Sequence, residues 1–253
     1  MTTTTAPATS TTTGMRLSLD AIRIAYGGKT VLENLELAIT PGEILVVVGK
    51  SGCGKSTLLR AIAGLRKPDR GVIRADGIAV TGPSADRALV FQDDALLPWR
   101  TVRQNIELAL QLRKVSRAER KASAQHWVEE VGLTGYADYL PRDLSGGMRQ
   151  RVQLARSLAG SPRAVLMDEP FGALDTQTRT TMQRLLIDTW RAHPTTVVFV
   201  THDLDEALLL GDRIAVLGDG ALGGGVLHTL VDVPEPRTPA DRRSVKAEIL
   251  EKL

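Results

Sequence analysis

The absences in this sequence already exclude several kinds of protein. One cysteine in 253 residues leaves no disulfide framework and points to a reducing cytoplasm. Aromatic residues make up only 4%, so aliphatic side chains must fill the core. No stretch approaches the roughly eighteen consecutive apolar residues of a bilayer-spanning helix. No basic block and no interleaved aromatic platform argue for nucleic acid. No Cys/His spacing suggests zinc. The net charge of +3 is compatible with a membrane surface but proves none.

What is present suits one large domain, or one domain with an inserted subdomain. Apolar residues reach 43%, enough for a sizeable core. The first fourteen residues hold eight threonines and neither a basic nor a long apolar region. They read as a disordered leader rather than a signal peptide.

The stretch that organises the chain is Gly49-Lys50-Ser51-Gly52-Cys53-Gly54-Lys55-Ser56-Thr57. It follows an apolar run, Ile44 to Val48, that reads as a buried strand, and precedes Leu58 to Ala63, which read as a helix. GxxxxGK[ST] in that setting is a phosphate-binding loop. Its glycines let backbone N–H groups converge on phosphate at a helix N-terminus. Lys55 is expected to reach the β- and γ-phosphates, and the Ser56 hydroxyl to face Mg²⁺. Cys53 is expected to serve as a small side chain in a crowded loop, since no base partner is indicated.

Upstream, Met15–Asp20, Ile22–Tyr26 and Val31–Ile39 alternate apolar and polar residues, as strands of an antiparallel sheet do. Tyr26 is a strand aromatic that could also stack on adenine. Downstream, Asp76-Gly77 marks a hairpin. Ala88–Phe91 is a strand ending at Gln92. Leu96-Leu97-Pro98-Trp99 then lies in a connector, either folded back on the core or presented as a docking surface. Val102 to Leu140 reads as a largely helical insertion, with Ser116 an N-cap and Tyr136–Leu140 continuing the helical character.

Leu144 to Gln150 open another helix, capped by Ser145, where Gly146 and Gly147 expose N–H groups at a positive end. One triphosphate needs one such feature. The second is expected to serve the nucleotide held by another copy. Ala164–Met167 is a short strand ending in Asp168-Glu169. Two acids at a strand tip beside a phosphate loop are where Mg²⁺ and attacking water are managed. Asp168 is assigned to the Mg²⁺ shell and Glu169 to the water. Thr178–Trp190 is a helix, and Thr196–Thr201 an apolar strand with His202 at its end. His202 could bridge the γ-phosphate and the water-activating acid. His126, His193 and His228 read as surface residues. Arg213–Leu217 and Gly225–Leu230 read as closing strands, Pro234–Pro239 as a linker, and Arg242–Leu253 as a short helix.

Together these pieces resemble the ATPase subunit of an ATP-binding-cassette transporter, over about Leu17 to Val233. The resemblance implies an α/β fold: a P-loop NTPase core with a mixed central sheet, an N-terminal antiparallel β subdomain and an inserted helical subdomain at about 101–158. The cassette would span 15–240, between the 1–14 leader and a 241–253 helical tail. It implies that Tyr26 stacks on adenine and that Gly49 to Thr57 form the Walker A loop. Gln92 matches the glutamine that touches Mg²⁺ and senses the permease. In the signature Leu144 to Gln150, Ser145 and Gly147 would contact the γ-phosphate across a dimer. Ala164–Glu169 match Walker B, Ala173–Asp175 the D-loop, and His202 the switch histidine.

The wording Phe91 to Arg100 resembles the subfamily that imports taurine, alkanesulfonates and nitrate. Its implied partners are a second ATPase copy, two transmembrane permease subunits and, indirectly, an extracytoplasmic solute-binding protein. Its implied place is peripheral, on the cytoplasmic face of the membrane. An importer of another solute (a thiamine precursor, amino acid or metal), an exporter, or a soluble cassette protein are the other readings. Two departures stand out: Lys50 where relatives often have proline, and Gly223-Gly224-Gly225 in place of a Pro-Gly-Arg-like turn.

Overall fold

A computed structural model describes residues 14–220, 223–234 and 239–251. The expected leader, apart from Gly14, lies outside the described residues, as does most of the Pro234–Pro239 linker. The chain opens with a long antiparallel pair, β1 (Leu17–Tyr26) and β2 (Lys29–Ile39). The expected break between two short strands is a register irregularity inside β1, near Ala21, which has positive φ. Next come β3 (Ile44–Gly49), α1 (Lys55–Ala63), β4 (Arg70–Ala75), β5 (Ile78–Ala79) and β6 (Arg87–Val90). The helical insertion holds α2 (Val102–Leu112), α3 (Arg117–Glu130), a 3₁₀ turn at Pro141–Asp143, and α4 (Gly146–Ala159). The chain then alternates through β7 (Ala164–Asp168), α5 (Thr176–Ala192), β8 (Thr196–Val200), α6 (Leu204–Leu210), β9 (Arg213–Asp219), β10 (Gly225–Asp232) and α7 (Pro239–Leu250).

All ten strands join one sheet, in the order β5-β4-β1-β2-β10-β9-β3-β8-β7-β6. From β9 to β6 the pairings are parallel. From β5 to β2 they are antiparallel. The sheet is therefore mixed, with the phosphate-loop strand β3 between β9 and β8.

The parallel strands read as unbroken apolar runs because both their faces are covered. Successive side chains point to opposite faces. Ile44, Val46 and Val48 enter one core with α4, α5 and α6, while Leu45 and Val47 enter a second core with α1 and the antiparallel strands. Val197 and Phe199 divide from Val198 and Val200 in the same way. Because β3, β8 and β7 are neighbours, their carboxyl ends share one edge. Gly49, His202 and Asp168-Glu169 all sit at that edge.

Tyr136–Leu140 is a run of turns rather than helix. Its carbonyls are engaged elsewhere: Tyr139 O accepts from Val102 N (2.9 Å) and Ala137 O from Arg103 N (2.9 Å). These bonds satisfy the otherwise unpartnered donors at the start of α2. Thr101 and Ser116 both form reciprocal capping boxes, on α2 and α3. The C-terminal helix α7 is docked: Val245 and Ile249 are buried, and Lys246 Nζ pairs with Asp205 of α6 at 2.7 Å.

Candidate active site

The loop after β3 is built to be rigid before anything binds. Gly54 has φ 100° and serves as the N-cap of α1, a left-handed position suited to glycine. Lys55 is buried, and its Nζ donates to Gly49 O (2.7 Å) and Lys50 O (3.0 Å). The ammonium is thereby held inside the curl of the loop. Lys50 contributes that carbonyl while its side chain stays exposed. A cavity of about 230 Å³ is lined by Ser51, Gly52, Gly54, Lys55, Ser56, Thr57, Val31 and Glu169. Burial pushes the Cys53 thiol up, which disfavours the thiolate.

Gly225, the last residue of the Gly223-Gly224-Gly225 run, lies against the phosphate loop. A Cβ on it would lie 1.9 Å from the Cys53 carbonyl oxygen. The β9–β10 turn runs against the back of the phosphate loop, and only glycine fits there. Gly225 also makes the single parallel pairing of β10 with Leu32 of β2, joining the two halves of the sheet.

The acids meet the loop across more than a hundred residues of chain. Ser56 Oγ donates to Asp168 Oδ1 at 2.9 Å. Asp168 is pushed up, first by burial and then by the like charge of Glu169, against the Ser56 hydrogen bond and the charges of Arg60 and Lys55. A hydroxyl and a half-buried carboxylate side by side are hard oxygen donors of the kind Mg²⁺ takes. Residue Glu169 turns sharply off the strand with φ 43°, a left-handed conformation costing of order 1–3 kcal/mol in a non-glycine residue. Its N–H donates to Val200 O at 3.0 Å. The turn leaves Glu169 Oε2 2.8 Å from His202 Nδ1. His202 is 64% exposed, with its imidazole on the open side of the carboxylate. His126, His193 and His228 are exposed elsewhere.

Other expected residues stand apart. Tyr26 is half exposed, with the Arg66 guanidinium 5.3 Å from its ring centroid. Gln92 is exposed and does not line the loop cavity. Its neighbours are clamped instead: Gln153 Nε2 of α4 donates to both Phe91 O and Asp93 O at 2.9 Å. Arg149 and Arg156 of the same helix hold Asp94 and Ala95. Buried Asn105 accepts from Leu97 N and donates to Leu97 O and Arg100 O. The connector thus divides the two sequence readings. Leu96 is buried against the core, while Trp99 stands 72% exposed. These clamps have no sequence signal, since they reach across five to sixty-two residues and the longer ones join separate elements.

Ser145, Gly146 and Gly147 lie at the start of α4, on the rim of a separate cavity of about 550 Å³ shared with Ala173, Leu174 and Asp175. Ser145 Oγ accepts from Met148 N at 3.3 Å. The first N–H groups of the helix have no partner within it; a Cβ on Gly147 would lie 2.6 Å from Thr178 Cγ2, and one on Gly146 would lie 3.9 Å from Arg149 Nη2.

Comparison with known proteins agrees with this geometry. The profile of the family described as "ABC transporter" matches residues 32–172. The nitrate import ATP-binding protein NrtD of a Synechocystis species is 50% identical over 207 residues, covering 80% of this chain and 78% of that protein. The taurine import ATP-binding protein TauB of Yersinia pestis is 47% identical over 204 residues, covering 81% and 80%. The dimeric structure of MJ0796, a bacterial ABC transporter cassette, superposes with a TM-score of 0.75 at 33% identity, covering 86% of this chain and 99% of that one. The same cassette has been solved in a post-hydrolysis state bound to ADP and Pi. With the profile over more than half its length, and with relatives this similar over four fifths of it, the chain belongs to the ABC transporter family, as an ATP-binding cassette whose ATPase is coupled to transport.

Proposed function

We propose that this cassette energises import of a small anionic or zwitterionic solute, of the taurine, alkanesulfonate or nitrate kind, across the cytoplasmic membrane. The observation that carries the chemistry is Glu169, which is bonded to His202 and lines the same cavity as Lys55 and Ser56. The solute class rests on similarity to the nitrate and taurine proteins.

In this reading two copies close head to tail over two ATPs. Lys55 and the loop N–H groups of one copy cradle each triphosphate. Ser145, Gly146 and Gly147 of the other copy complete it, and Tyr26 stacks on adenine. Ser56 and Asp168, with Gln92 approaching from the connector, would hold Mg²⁺, which when bound neutralises phosphate charge. Glu169 orients the water and takes its proton, while His202 steadies the carboxylate and the developing charge on the γ-phosphate.

Docking of permease subunits would use the connector and the groove beside it. That groove, about 650 Å³, is lined by Phe91, Leu97, Leu108 and Leu112, with Arg87 and Arg113 at its edge. Among the described residues no helix is long and apolar enough to cross a membrane, which fits a peripheral subunit on the cytoplasmic face. The solute would be met by the permease and an extracytoplasmic binding protein, never by this chain.

The test is ATPase activity of the complex reconstituted with its permease and binding protein. Stimulation by taurine, a sulfonate or nitrate is expected. Stimulation only by an amino acid, a thiamine precursor or a metal would replace the proposed solute class.

A further inference from the structure

Helix α5 leaves the Phe171–Asp175 loop and runs beside the start of α6, the helix that follows His202. Two residues one turn apart on α5, Arg179 and Gln183, share a face, and both grip α6. Arg179 Nη2 donates to Leu174 O at 3.1 Å, and Nη1 lies 3.5 Å from Asp203 Oδ2. The other oxygen of Asp203 caps α6, accepting from Asp205 N (2.9 Å) and Glu206 N (3.1 Å). A turn further on, Gln183 Nε2 donates to Glu206 Oε1 at 3.0 Å, both side chains being buried. Thr201, on the near side of the histidine, is fixed as well. Its N–H donates to Val47 O at 3.2 Å, and its hydroxyl accepts from Asp203 N at 3.0 Å.

His202 itself is largely exposed and has the Glu169 carboxylate as its side-chain partner. Its ring can only go where the backbone of Thr201 and Asp203 puts it. We infer that Arg179 is a positioning residue for hydrolysis. Its guanidinium spans from the Leu174 carbonyl to Asp203 and sets His202 against Glu169. The span also links two sites. Leu174 lines the cavity shared with Ser145, Gly146 and Gly147, so a shift of that loop is carried through one side chain to the Glu169–His202 pair. Lysine is a poor substitute, because a single ammonium cannot donate in two fixed directions as the planar fork does.

The inference rests on the roles proposed above for Glu169 and His202. The test measures steady-state ATPase and melting temperature of the full chain carrying Arg179→Met, Arg179→Lys, Asp203→Asn, or Met and Asn together. Asparagine caps a helix as well as aspartate, so Asp203→Asn removes the ionic partner and keeps α6 capped. The expected result is a kcat lowered at least about tenfold with the KM for ATP within about twofold, the pattern of an interaction realised in the transition state. Lysine should fall between methionine and wild type, and the double variant should be no worse than Arg179→Met, since both remove one contact. If Arg179→Met does not fold, the kcat and KM of Asp203→Asn decide alone. An unchanged kcat, a loss carried by KM, or additive losses in the double variant would overturn the inference. Glu169→Gln and His202→Ala are run alongside. If either stays fully active, the reading of the site has failed; if both fall while Arg179→Met and Asp203→Asn do not, only this inference has.

Discussion

Two glycine-rich helix entrances in this chain look alike in sequence and differ in how they are finished. At the start of α1, the lysine folds back onto the carbonyls of its own loop, Ser56 is bonded to Asp168, and the β9–β10 turn presses on the loop from behind. At the start of α4, Ser145 makes one long capping bond, Ser145 and Gly146 are exposed, and Gly147 sits against Thr178. The first entrance is pre-organised by its own chain, and holding a phosphate there costs little further ordering. The second has a helix-end dipole and backbone donors on the rim of an open cavity that Ala173, Leu174 and Asp175 also line. A binding surface that its own chain leaves unfinished is what a shared site between two copies requires.

The comparison can be broken first at its largest effect. Glu169→Gln should lower kcat by about 10²–10⁴, leave ATP binding intact and trap an ATP-bound dimer visible by size-exclusion chromatography. Undiminished steady-state hydrolysis would remove Glu169 as the base. Next, Lys55→Ala and Ser145→Ala should each be inactive as pure proteins, yet a mixture should regain part of the activity. Only a mixed pair brings an intact loop against an intact signature. No recovery, in a mixture shown to form mixed dimers, would mean that each entrance serves its own chain.

A third prediction concerns the support behind the loop. Gly225→Ala would push against Cys53 O, so the backbone must give way, raising the KM for ATP several-fold, on the order of 1 kcal/mol in binding, and lowering the melting temperature. An unchanged KM would mean that the turn is a spectator.

The smallest effect is electrostatic, and its sign differs between the entrances. Asp168, by the phosphate loop, is raised above its ordinary 3.8 by burial. Its contribution to stability is full below that value and lost as pH rises through the higher folded value. Asp175, beside the signature cavity, is lowered by hydrogen bonds from Thr178 and Gln177. Its contribution is present above 3.8 and lost as pH falls through the lower folded value. In nucleotide-free protein, Asp168→Asn should therefore raise the melting temperature at pH 7 relative to pH 3.5, and Asp175→Asn should do the reverse. Melting curves across that range check both; the same sign for the two variants would refute the contrast.

Much of the fold was legible because its signals are local. The unbroken runs at Ile44–Val48, Ala164–Met167 and Thr196–Val200 announced strands buried on both faces, and they form β3, β7 and β8. The Ser116 cap, the Asp76-Gly77 hairpin and the Ser145 cap are each settled within four residues. Tyr136–Leu140 misled because its helical composition was overruled by a distant need, the unpartnered N–H groups of α2. Leu96 to Trp99 could not be resolved from the sequence, since what buries one end is Asn105 and the helical insertion. Arg179 carried no signal at all. An arginine four residues beyond a helix cap is usually a solvated one, and its partner Asp203 is twenty-four residues away.

By itself the sequence determined the chemistry available at each entrance. Residue type and spacing of a few positions suffice to curl a backbone around phosphate, to cap a helix, or to set two acids at a strand tip. Only the tertiary structure decided which of these pieces meet. The sheet order puts β3, β8 and β7 side by side, so Ser56 reaches Asp168 and Glu169 reaches His202. The same packing leaves Ser145, Gly146 and Gly147 on the rim of another cavity. Hydrogen bonds act over about 3 Å, and chain distance says little about spatial distance once a parallel sheet has formed.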